Sequence, residues 1–139
     1  MLHRLGAERA WVVHGDGLDE LTTAGTSHVA ALADGEIETF DLAAGDVGLP
    51  RARLEDLRGG DPGYNARLMR GLLGGAGGPL RDIVLLNAGA ALLVAGRVED
   101  LADGIELAAR SVDSGAARQV LAALVARTNA PAEDPATVR

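Results

Sequence analysis

Cysteine and lysine are both missing from this sequence of 139 residues. Without cysteine there is no disulfide, no thiolate nucleophile and no Cys-based zinc site. Every positively charged side chain is an arginine: 13 of them stand against 20 acidic residues, for a formal net charge of −7. That balance argues against nucleic acid as the main partner. It leaves room for a phosphorylated small molecule, which needs only a few local donors or a bridging metal. Aromatics are scarce, with one Trp, one Tyr and one Phe. Stacking platforms for bases are therefore lacking, and the core has to be built from Leu, Val, Ile and Ala. No apolar run approaches the roughly 20 residues needed to span a bilayer. The start Met1-Leu2-His3-Arg4-Leu5-Gly6 is too short and polar for a secretory signal. A soluble cytoplasmic protein without membrane contact is the expectation.

What is present suits one compact domain, since 47% of the residues are apolar. Residues 1–5 read as the last turn of a helix stopped by Gly6. Ala10-Trp11-Val12-Val13-His14 is short, apolar and β-prone, and Gly15-Asp16-Gly17 ends it. Such a run reads as a strand buried on both faces. Residues 28–33 and 36–42 flank Asp34-Gly35, a two-residue hairpin signal. Residues 43–60 are loop-like, with one helical turn at 54–57. Asp61-Pro62 supplies an N-cap and a proline at the first helical position. Helices are then expected up to the glycine run 74–78, over 80–95, over 98–112 and over 116–127. The second is apolar nearly all round, so it should be buried on several sides. The last should turn Val120, Leu121, Leu124 and Val125 inward. Residues 129–139, rich in Pro, Ala and charge, are expected to form a disordered tail. No segment offers a parallel neighbour for the apolar strand, so a larger domain or another chain is expected to complete the sheet.

The loop from His14 to Glu20 is the best candidate for chemistry. It lies just past the C-terminal end of a strand, where ligands bind in open α/β sheets. Its adjacent carboxylates, Asp19 and Glu20, are hard oxygen donors suited to magnesium that stays partly hydrated and bridges to a substrate phosphate. By spacing alone the same pair also reads as a solvated turn, or Asp19 as the cap of a following helix. His14 could serve as a general acid or base, although packing of the loop is the preferred reading. His3 and His28 are too scattered along the chain to suggest a metal cluster. The glycine run 71–78 lacks the Lys and the Ser or Thr of a phosphate loop, and it comes after a helix rather than a strand. It reads as a helix–helix connection. Thr22-Thr23-Ala24-Gly25-Thr26-Ser27 is a hydroxyl-rich turn that could bind phosphate or simply satisfy backbone groups. Asn65 and Asn87, both in helical segments, could tie backbone to backbone or touch a substrate.

Taken together, Glu8-Arg9-Ala10-Trp11-Val12-Val13-His14-Gly15-Asp16-Gly17-Leu18-Asp19-Glu20 resembles the strand-and-loop signature of the anthranilate phosphoribosyltransferases. Gly48-Leu49-Pro50, Gly59-Gly60-Asp61 with Asn65-Ala66, Leu85-Leu86-Asn87-Ala88, residues 105–108 and Ser114-Gly115-Ala116 come next in that family's order. The likeness runs to about Arg127, and the succession of segments is more specific than any one of them. It implies an α/β fold, the C-terminal part of a phosphoribosyltransferase/nucleoside phosphorylase-like α/β domain. One buried strand, a β-hairpin and then about four helices would fill residues 1–128. It implies transfer of the phosphoribosyl group of phosphoribosyl pyrophosphate to anthranilate in tryptophan biosynthesis. Asp19 and Glu20 would hold Mg2+ and through it the leaving diphosphate, not act as bases. No catalytic residue and no substrate contact is assigned.

Several of the family's elements have no counterpart here: the Gly-Thr-Gly-Gly-Asp diphosphate loop, the Lys-His-Gly-Asn segment, and the N-terminal helical bundle that helps bind anthranilate and forms the homodimer. The isolated chain is therefore expected to be inactive. Ala44-Gly45-Asp46-Val47-Gly48 also departs from the family's usual Pro-Glu-Asp-Phe-Gly. Two other readings stay open: a non-catalytic binding or assembly module of the same half-fold, and a fragment of a related pyrimidine nucleoside phosphorylase.

Overall fold

The computed structural model describes residues 1–130. A single 3-10 turn, Leu2–Leu5, stops at Gly6 and leads into strand β1, Ala10–Gly15. Strands β2, Thr26–Ala33, and β3, Glu36–Ala43, form the expected hairpin. Asp34 and Gly35 both take positive φ, 51° and 82°, as a tight turn matched to the sheet's twist demands. The sheet order is β1-β2-β3, antiparallel throughout. Two 3-10 turns, Ala44–Val47 and Leu54–Leu57, carry the chain to the helices.

Helix α1, Pro62–Leu73, starts where Asp61 Oδ1 accepts the Tyr64 N–H at 2.9 Å. Helices α2, Pro79–Val94, α3, Leu101–Asp113, and α4, Ala116–Thr128, lie within one to three residues of the bounds read from the sequence. The glycine-rich stretch between α1 and α2 is the connection it promised to be. The helices cover one face of the sheet. Trp11, Val13, Val29, Phe40 and Leu42 point toward them and meet Leu85, Leu86, Ala90, Leu101, Ile105 and Ala108. Trp11 and Phe40 touch edge to face with centroids 5.6 Å apart. Helices α2 and α3 approach so closely that a Cβ on Gly89 would stand 2.7 Å from the Ile105 nitrogen. Only small residues allow that approach.

Two expectations need correction. β1 is not buried on both faces: it pairs on one side only, with β2, and Val12 is 59% exposed. Its apolar composition suits two covers, but the described residues supply one. Similarly, the inward stripe expected for α4 faces largely out: Leu121 is half-buried, but Val120 is 69%, Leu124 57% and Val125 51% exposed. No described segment lies over Val120, Leu124 and Val125, while Ala117 in the first turn meets the core. The expected tail, 129–139, falls largely outside the described residues.

Candidate functional site

β1 hands the chain to a loop whose first turn closes on itself. Gly15 and Leu18 exchange backbone hydrogen bonds, both 3.0 Å, across Asp16 and Gly17. Asp16 takes φ 47° and Gly17 φ 92°. Asp19 and Glu20 come next, both exposed. Gly15 is required here, because a Cβ on it would overlap the carbonyl oxygen of Glu20. Leu21 then dives into the core at 1% exposure.

Behind the acidic pair the backbone is fixed by side chains. The Asn87 amide, on α2, grips Leu21: its Oδ1 accepts from the Leu21 N–H at 3.0 Å and its Nδ2 donates to the Leu21 carbonyl at 2.9 Å. The Ser27 hydroxyl accepts from the Thr22 N–H at 2.9 Å, and the Thr22 hydroxyl accepts from the Ala24 N–H at 3.0 Å. The Ala52 N–H donates to the Thr23 carbonyl at 2.9 Å. Arg51 Nε reaches the Ala24 carbonyl at 3.2 Å. The hydroxyl-rich turn thus satisfies its own backbone. The exception is the Thr23 hydroxyl, which is buried with no partner among the described residues. A cleft of about 470 Å³ runs between β1 and α2, walled by Arg9, Trp11, Val13, Leu21, Asn87 and Val94.

The Asp19 and Glu20 carboxylates make no hydrogen bond or ion pair among the described residues, so their oxygens are all uncommitted. No group of three or more His, Cys, Asp or Glu that could hold a metal occurs among those residues either. Two hard, exposed carboxylates on an anchored loop fit magnesium, which keeps several waters and takes one or two carboxylates plus phosphate oxygens. They do not fit a structural zinc cage. The alternative in which Asp19 caps a helix fails, since no helix lies between it and β2.

The remaining candidates lie elsewhere. His14 does not pack the loop: it is exposed on the open face of the sheet. Strand register places it opposite His28, which is paired in turn with Asp41 through a 2.6 Å Nδ1–Oδ1 contact. Residues far apart in sequence thus share one row across the sheet, a proximity that only strand pairing reveals. Asn65 ties the Gly60 N–H and carbonyl, at 2.8 and 3.1 Å, to the start of α1. Asn87 ties backbone, as its residue type suggests, but its partner Leu21 lies 66 residues away, beyond the reach of local spacing. No described helix is long and apolar enough to cross a membrane.

Similarity to known proteins runs through this same loop. The model of the glycosyl transferase family, a/b domain, matches residues 1–118. The anthranilate phosphoribosyltransferase of Rhodospirillum rubrum is 56% identical over 133 residues, 95% of this chain. That of Caulobacter vibrioides is 57% identical over 128 residues, 92% of this chain. The chain spans 38% of the length of each of these curated relatives. The crystal structure of anthranilate phosphoribosyltransferase from Thermus thermophilus superposes with a TM-score of 0.83 at 44% identity, over 93% of this chain and 38% of that one. The enzyme from Saccharomyces cerevisiae in complex with PRPP and Mg superposes with a TM-score of 0.70 at 27% identity, over 80% of this chain and 32% of that one.

Proposed function

This chain belongs to the glycosyl transferase family, a/b domain, and on that premise we propose that it is the C-terminal part of an anthranilate phosphoribosyltransferase. The complete enzyme would move the phosphoribosyl group of phosphoribosyl pyrophosphate onto the amine of anthranilate, in the cytoplasm and as a homodimer. The single observation that carries this is the run of identity to enzymes of that name along nearly the whole chain.

In that enzyme Asp19 and Glu20 would hold magnesium. When bound, the ion would neutralise charge on the departing diphosphate, an electrostatic contribution to the transition state. The residues of this chain supply the holding. β1 delivers the loop to the strand end, the Gly15–Leu18 turn exposes the pair, and Leu21 anchors the far side of the loop in the core. Both carboxylates would act as ligands, offering exposed oxygens to the ion rather than moving a proton. No residue of the chain matches the family's Gly-Thr-Gly-Gly-Asp diphosphate loop, so these 139 residues alone form no product.

The test joins this chain, at the matched position, to the preceding part of the Rhodospirillum rubrum enzyme and measures phosphoribosylanthranilate formation. An active chimera and an inactive isolated chain are the expected pair of results. A folded chimera without activity overturns the assignment, and turnover by the isolated chain overturns its incompleteness.

A further inference from the structure

We infer that Asn87 is a positioning residue for the acidic pair: from α2, its amide fixes the Leu21 peptide and so the direction in which Asp19 and Glu20 leave the sheet. The grip is two-point. The N–H and the carbonyl of one residue, Leu21, are both bound, at 3.0 and 2.9 Å. A single bond would let that segment pivot, whereas two opposed bonds fix its rotation as well. The second Nδ2 hydrogen goes to the Ile83 carbonyl at 3.0 Å, one turn back on the same helix, which fixes the Asn87 side chain itself. On the other flank, the Glu20 carbonyl lies against Gly15 with no room for a Cβ between them.

Asp19 and Glu20 have no side-chain partner of their own among the described residues. Their backbone is therefore what aims them, and Asn87 is the long-range tie on that backbone nearest to the pair. Outer residues that orient metal ligands typically contribute 10–100-fold, in order of magnitude, to metal affinity. A purely structural amide would stabilise the fold without touching that affinity, which separates the two roles experimentally.

Because the inference rests on Asp19 and Glu20 being the metal pair, the experiment tests both in the 139-residue chain. Mn2+ is the probe ion, read by paramagnetic broadening of the amide resonances of residues 16–21, together with hydrogen exchange at the Leu21 amide. Asn87→Leu, which keeps the branched shape without the hydrogen bonds, is expected to lose protection at Leu21 and to bind Mn2+ about tenfold more weakly. Asp19→Asn with Glu20→Gln is expected to lose the broadening and to keep the protection. In the unaltered chain, saturating Mg2+ should slow Leu21 exchange by a similar factor, since coupling between two sites is reciprocal. That arm needs no variant and stands even where Asn87→Leu fails to fold. Unchanged Mn2+ affinity in a folded Asn87→Leu chain, or Leu21 exchange indifferent to saturating Mg2+, overturns the positioning role and leaves the ligands intact. Broadening that is absent from the unaltered chain, or that survives Asp19→Asn with Glu20→Gln, overturns the metal pair and the positioning role with it. Retained Leu21 protection would then identify Asn87 as a structural tie alone.

Discussion

The α2–α3 helix pair and the loop at the end of β1 are held by opposite means. Between the helices the contact is apolar and close, with Gly89 against Gly104 and Leu86 fully enclosed at 0% exposure. Burying one such leucine contributes about 1.5–3 kcal/mol. In the loop the interior is polar: Thr22, Thr23 and Ser27 are buried, and side-chain-to-backbone hydrogen bonds set the path. A typical bond of that kind contributes only about 1 kcal/mol net. The two regions therefore divide the labour. Apolar area holds the helices together, while directional bonds hold the loop in one shape. The acidic pair on the loop contributes to neither, which leaves its oxygens available.

The sharpest way to break that division is to hollow out the helix pair. Leu86→Ala should lower stability by about 2–5 kcal/mol, because transfer and cavity terms add at a site with no room to relax. Urea unfolding monitored by helical circular dichroism measures it, and a variant as stable as the parent would show that the core lies elsewhere. The effect should be smaller where one directional bond acts on an exposed helix end. Removing the α1 cap with Asp61→Ala should cost about 1 kcal/mol by the same measurement, since the bond lost is the single contact to Tyr64 N.

This gradient from packing to directional bonds also marks how far the sequence could be read. Asp61-Pro62 and Asp34-Gly35 were legible because each acts within four residues, through φ and one hydrogen bond. The acidic pair was legible as a pair because its residues are neighbours on a glycine-bounded loop. β1 and α4 were misread for a common reason: an apolar run says that a face is suited to burial, not that the same chain supplies the cover. The Asn87–Leu21 tie and the His14–His28 row were out of reach, because helix docking and strand register place them, and neither can be deduced from local spacing.

A weaker effect tests the electrostatic edge of the helix pair. Asp82 lies partly buried in the first turn of α2, and that burial pushes its carboxyl above its ordinary value, with Arg81 pulling the other way. A carboxyl raised in the folded state is penalised there when ionised. The cost is therefore present above the folded value and is relieved as the pH falls through it. Relative to the parent, Asp82→Asn should gain stability as the pH rises from about 3 to about 7. The gain should stay under about 1 kcal/mol, because water still reaches the group. Urea midpoints at the two pH values measure it, and a gap that narrows with rising pH contradicts the sign.

The smallest effect on stability belongs to the residues of greatest functional interest. Asp19→Asn with Glu20→Gln should change the free energy of unfolding by no more than about 0.5 kcal/mol. Both side chains are exposed and bond to nothing described, and the loop is held through the backbones of Gly15 and Leu21 rather than through them. Neutralising two adjacent negative charges in a chain of net charge −7 removes repulsion, so any shift should be toward greater stability. A loss of about 2 kcal/mol or more, on the order expected when a buried polar network breaks, would mean that the carboxylates are structural. The loop would then resemble the helix pair after all, with its charges committed to the fold and unavailable to a cation.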